Sequence, residues 1–288
     1  MIKISNIRTN FEVKRIEKIG KVIIINGEEK LVYKEGHISN EILEYLKSRN
    51  FEYMPNIKNN ETYYTMNYIE DLNIPKEQKI IDLIKLTALM HSKTTHYKEI
   101  DIDYYNELFE DIYNNIEYLY SYYTDLITII EAKTFPKPSE QLLERNISKI
   151  YEVLEFNDKK LRDWHNLIKN KQKERNVIVH GNLKLDHFIR NKNSYLISWD
   201  KAKIASPVFD LYKLYQNHAL DFDFTPLIKI YEKNYPLTKE EKELLFILIS
   251  MPEKIELNKN EYENCKQLSK FLDKMYKTEK LISPEASK

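Results

Sequence analysis

Near Pro75 the apolar residues of this chain change period, from the alternation of strands to the spacing of about 3.6 that marks helices. Few folds accommodate that order. Before the switch, "FEVKRIEK" and "KVIIING" alternate or cluster β-branched residues, and "NGEEKLVYKE" follows. Asn26-Gly27 between two such runs signals a hairpin, because a tight turn of the favoured hand needs positive φ. "SNEILEYLKSRN" then predicts a helix capped by Ser39 or Asn40, with Ile42, Leu43 and Leu46 on its apolar face. "TYYTMNYIE" (Thr62 to Glu70) reads as a further strand. The order strand, hairpin, strand, helix, strand describes a small β-rich lobe over residues 1–70, followed by a helical lobe over residues 71–288.

In the second part, Ile80, Leu83, Leu86 and Met90 form one stripe, and Leu108, Ile112, Ile116, Leu119, Tyr123, Ile127 and Ile130 continue it in a long helix. The tyrosines between them follow the helix period, so they read as packing rather than as a binding platform. "TFPKPSEQ" is a prolyl break, with Ser139 capping a helix expected to end near Leu154. Two short β-like runs, Val177 to Val179 and Tyr195 to Trp199, interrupt the helices, which return from Phe209 onward. "LISPEASK" reads as a frayed tail, and Trp164 and Trp199 as core of the helical lobe.

Lys plus Arg and Asp plus Glu both number 45, so the formal net charge is zero, and a nucleic-acid partner, which favours a basic surplus, is not expected. No stretch approaches the ~20 apolar residues of a membrane span. Charges at Lys3, Arg8, Glu12 and Lys14 interrupt any signal-peptide core. A single cysteine, Cys265, leaves neither an intramolecular disulfide nor a cysteine metal site, so a reducing cytoplasmic setting is expected. The histidines His91, His96, His165 and His180 show no ligand spacing, and His218 reads as a packing or surface residue. With four glycines in 288 residues, loops that cradle phosphates have little material.

The densest run of chemical groups is "VIVHGNLKLDHFIRNKNSYLISWDKAKIASPVFDLYKL", Val177 to Leu214. With "VYK" in the first lobe and "ALMHS" at Ala88 to Ser92, it resembles, from about Phe11 to about Gln216, the aminoglycoside phosphotransferase and choline kinase group of kinase-like proteins. The family pattern is H-G-D-x-x-x-x-N, then I-D-(W/F), then G-x-P-x-x-D-L. The spore-coat kinase-like proteins of Gram-positive bacteria are a branch the resemblance also touches. It implies an α+β, two-lobed protein-kinase-like fold, a small antiparallel β lobe plus a larger, mainly helical lobe that contains the catalytic-loop-like segment 177–211.

Phosphoryl transfer needs a lysine on phosphate, metal-binding groups and a base for the acceptor hydroxyl. The resemblance assigns Lys34 to the phosphates, Glu41 (or else Glu44) to pair with that lysine, and Met66, Asn67 and Tyr68 to the adenine. A solvated Lys–Glu surface pair is the plain alternative for the first two. Against the family pattern, His180 and Gly181 stand, but Asn182 replaces the catalytic Asp, and an amide cannot accept a proton near neutrality. His187 replaces the metal-binding Asn, and Ser198 the metal-binding Asp. Imidazole suits magnesium poorly, and a hydroxyl brings it no charge. Ala205 replaces a Gly, while Pro207, Asp210 and Leu211 are kept. Around "EKIGKVII", where a glycine-rich loop belongs, only Gly20 is present. Asp186 and Asp200 are candidate substitute metal ligands, Asp200 being expected on the same side of an extended strand as Ser198.

The expected function is therefore a pseudokinase, a kinase-like scaffold or binding module, with the spore coat as one setting beside the cytoplasm. The alternative is an active ATP-dependent small-molecule phosphotransferase with relocated metal ligands. ATP and magnesium enter as cofactors only if nucleotide binding is retained. The partner is an unidentified protein or small molecule, with no nucleic acid and no membrane.

Overall fold

In the computed structural model, residues 14–20 and 22–286 are described, so the expected strand residues Phe11 to Val13 lie outside them. The first part is an antiparallel sheet ordered β1-β2-β3-β5-β4. Its strands are β1 (Arg15–Ile19), β2 (Val22–Asn26), β3 (Lys30–Glu35), β4 (Ile57–Asn59) and β5 (Tyr63–Asn67). Helix α1 (Asn40–Ser48) lies between β3 and β4 in sequence. Its N-cap is Ser39, whose hydroxyl accepts from the Ile42 amide, and Ile42, Leu43 and Leu46 are buried. The Asn26-Gly27 hairpin exists, but its loop is longer than a two-residue turn. Asn26 pairs with Lys30, which leaves Gly27 to Glu29 in the loop, and Gly27 is not among the positive-φ glycines.

The remainder is mostly helical: α2 (Lys76–Thr94), α3 (Ile102–Glu131), α4 (Pro138–Glu144), α5 (Ile147–Lys169), α6 (Val208–His218), α7 (Phe224–Asn234), α8 (Lys239–Ser250) and α9 (Glu261–Ala286). Short strands β6 (His96–Glu99), β7 (Lys173–Val179), β8 (Phe188–Arg190), β9 (Ser194–Leu196) and β10 (Lys203–Ala205) fall between them. A small antiparallel sheet followed by a larger helical part is the expected fold class.

The chain divides into two compact units. One comprises residues 1–96, 176–213 and 229–236, and the other 97–175, 214–228 and 237–288. In the first, Ile23 and Ile25 on β2 form a small core with half-buried Ile16, Leu31 and Tyr33. The α2 stripe of Ile80, Leu83, Leu86 and Met90 is buried as its spacing requires. In the second unit, α3 buries Tyr105, Ile112, Ile116, Leu119, Tyr123, Ile127 and Ile130. Trp164 on α5 packs its ring 5.9 Å from that of Tyr105.

Several local expectations change. The helix expected from Ser139 to Leu154 is two helices, because the chain turns at Arg145 and Asn146, and Ser139 sits inside α4 and donates to Glu261. The supposed frayed tail continues α9 to Ala286, since Leu281 and Ile282 are buried. Trp199 belongs to the first unit, where its ring lies 6.0 Å from Phe51 and 5.0 Å from His180.

Candidate functional site

Strand β7 delivers the chain to His180, and the loop it enters is built around one carboxylate. Asp210, fully buried near the start of α6, accepts from the backbone amides of His180 (2.7 Å) and Gly181 (2.8 Å). It also accepts from His91 Nε2 at 3.2 Å, while the Tyr231 hydroxyl donates to His91 Nδ1 at 2.6 Å. Gly181 has φ +74, and a Cβ there would stand 2.2 Å from the Lys201 carbonyl oxygen. Two backbone segments thus meet where only a hydrogen fits.

His180 is buried with both ring nitrogens engaged. Nε2–H donates to the Ile197 carbonyl at 2.8 Å, and Nδ1 accepts from the Asn182 amide at 3.3 Å. Burial keeps its pKa below the ordinary histidine value, so it is neutral. His187, in a 3-10 turn (Leu185–His187), donates from Nδ1 to the Asn182 carbonyl at 2.8 Å. Burial pushes its pKa down to about 4. The residues that the resemblance sets at the base and first metal positions are therefore joined by a hydrogen bond from the His187 ring to the Asn182 backbone.

Ser198 adopts φ 66, ψ 56, the left-handed conformation, which costs a non-glycine residue about 1 kcal/mol. After it, Trp199–Lys201 form a 3-10 turn rather than an extended strand, since β9 ends at Leu196. The parity argument that placed Asp200 beside Ser198 therefore does not hold. Asp200 instead reaches β3, where the Lys34 ammonium donates to its carboxylate at 2.5 Å. The Tyr64 hydroxyl, on β5 opposite Lys34, is 3.4 Å from the same oxygen. Burial alone would raise the Asp200 carboxyl, but its hydrogen bond and charge contact with Lys34 outweigh that and hold it below the usual range.

Glu41 and Glu44 are exposed on α1, and the ion pair of Lys34 is with Asp200. Met66 is buried in β5 and Asn67 is exposed at its end. The Tyr68 amide donates to the Lys30 carbonyl, and the Lys30 ammonium sits 3.6 Å from the Tyr68 ring centroid. Asp186 does not join Asp200. Its side chain is 85% exposed, with Lys184 3.8 Å away.

Among the described residues, no group of three or more His, Cys, Asp or Glu side chains could hold a metal ion. Magnesium takes an octahedron of hard oxygens. One lysine-paired carboxylate, a hydroxyl and a neutral imidazole committed to the backbone do not fit it. Two contributors escaped sequence reasoning. Tyr64 was readable only through the register that sets it opposite Lys34, and His91 lies in the "ALMHS" helix without a spacing that would single it out.

This fold is that of kinase-like phosphotransferases. An aminoglycoside phosphotransferase from Alicyclobacillus acidocaldarius superposes with a TM-score of 0.70 at 10% identity, over 95% of this chain and 92% of that one. A spectinomycin phosphotransferase bound to AMP gives 0.55 at 12% identity, over 93% and 94%. A glucosamine kinase gives 0.51 at 12% identity, over 96% and 77%. No family model and no curated protein matches the sequence.

Proposed function

We propose that this chain is a kinase-like protein without phosphotransfer activity, serving as a scaffold or binding module. The observation that carries this reading is the bond between His187 and the Asn182 carbonyl. It commits the His187 ring to the backbone, while the Asn182 side chain is an amide that takes no hydroxyl proton near neutrality and the imidazole suits magnesium poorly. Lys34 supports the reading as well, because its charge is already met by Asp200. A second reading has one observation in its favour. Asp200 sets a carboxylate against the lysine assigned to phosphate, so an active enzyme would draw on Asp200 as its metal ligand.

Calorimetric titration with ATP, with and without magnesium, separates the two, together with transfer of labelled terminal phosphate to aminoglycoside, amino-sugar and amino-alcohol acceptors. The expected outcome is no magnesium-dependent heat and no transfer above a protein-free control. Magnesium-dependent turnover abolished by Asp200→Ala would establish the second reading instead.

A further inference from the structure

The second unit carries a cavity of about 500 Å³, within the range of small-molecule sites. Its walls come from the first turns of α5, the end of α8 and the latter half of α9. None of its lining residues belongs to the segment 177–211 or to the sheet β1–β5.

Three properties of the lining restrict what it can hold. Val153, Phe156, Leu272, Met275 and Ile282 make it largely apolar. Its buried hydroxyls are already spoken for: Ser250 donates to Asn157 at 2.6 Å, and Thr278 is 2.5 Å from the Tyr215 hydroxyl. A polar ligand such as a sugar would therefore find no free partner at these two hydroxyls for the groups it desolvates there. The charged groups are one-sided. Glu152, Asp273 and Glu279 stand against a single cation, Lys149, which is paired with Glu279 at 3.2 Å. Glu152 and Asp273 remain exposed carboxylates with no ion pair among the described residues, and Tyr276, 65% exposed, adds an aromatic face.

We propose that this cavity is a binding site for an amphiphilic amine, a single ammonium on an alkyl or aryl body. The body fills the apolar interior, and the ammonium stays at the mouth between Glu152 and Asp273, within reach of the Tyr276 ring. An anion of the same body meets two carboxylates and is rejected. The proposal stands whether or not the cleft around Lys34 transfers phosphate.

Calorimetry with decylamine below its micelle concentration, compared with decanol, decanoate and butylamine, tests it. Decylamine is expected to bind once per chain and at least tenfold tighter than decanoate, and butylamine not to saturate. The double variant Glu152→Gln, Asp273→Asn should weaken decylamine roughly fivefold and spare decanol, as two partly screened surface charges imply. Two separate cavity-filling variants, Val153→Trp and Met275→Trp, should each abolish decylamine binding while keeping the wild-type circular dichroism. Should one of them misfold, the other decides. Absence of saturable decylamine binding overturns the proposal, as does equal affinity for decanoate or binding unchanged in a folded filled variant. Titration with ATP on the same variants reports on the cleft separately, so a failure here leaves the reading of the cleft untouched.

Discussion

Position 181 is fixed as glycine by two independent constraints, the positive φ and the Lys201 carbonyl pressed against it. Gly181→Ala is expected to lower stability by about 3 kcal/mol, read as a fall in the urea midpoint, because backbone must move on one side or the other. A change below ~0.5 kcal/mol would mean that the loop yields freely. The two loop histidines give a pH dependence. Burial lowers the pKa of both His180 and His187, the latter from 6.5 to about 4. As pH falls through 6.5, the unfolded chain takes up protons that the folded chain refuses. Folding stability is therefore complete above that value and declines toward pH 4. Urea midpoints at pH 7.5 and 5.5 should show the decline, and His187→Gln should flatten part of it; an unchanged slope in that variant would remove His187 as a source. At this scale the sequence showed which side chains stand at the positions the resemblance singles out, Asn182, His187 and Ser198. It did not show where Asp200 points, because a serine does not announce the left-handed turn at Ser198 that directs Asp200 toward Lys34.

Between elements, the ion pair of Lys34 and Asp200 ties β3 to the 3-10 turn after Ser198. Its side chains are 17% and 26% exposed, so it is less screened than a surface pair. A double-mutant cycle with Lys34→Met and Asp200→Asn is expected to give a coupling of about 1–2 kcal/mol. Additive effects would show the contact to be energetically idle. Element existence was legible where spacing and cap agreed, as in α1 with Ser39 and in the α2 stripe. It failed where tertiary burial decided. The break at Arg145 and Asn146 contains neither glycine nor proline, and the end of α9 is held by Leu281 and Ile282 rather than by any local propensity. The Asn26-Gly27 signal gave the hairpin but not its length, since pairing of Asn26 with Lys30 overrode the preferred turn.

At the scale of the whole molecule, each compact unit is assembled from three separate segments, alternating along the chain. Helices α6 and α7 each contribute to both units. A fragment of residues 97–288 would carry the loop segment 176–213 without the strands it belongs with. Such a fragment is expected to show no cooperative thermal transition, whereas the full chain melts in one. A sharp transition in the fragment would mean that the second unit folds alone. This organisation was not readable from the change of period at Pro75, because that change marks where elements alter, not where contacts close.

The left-handed serine carries one more implication. The main chain at Ser198 holds an unfavourable posture, and the next residue, Trp199, packs its buried ring against Phe51 and His180. A carboxylate grafted at that single atom-bearing point would inherit a ready-made mount. Under the proposed reading, placing an acid at this point would be a matter of side chain rather than of main chain.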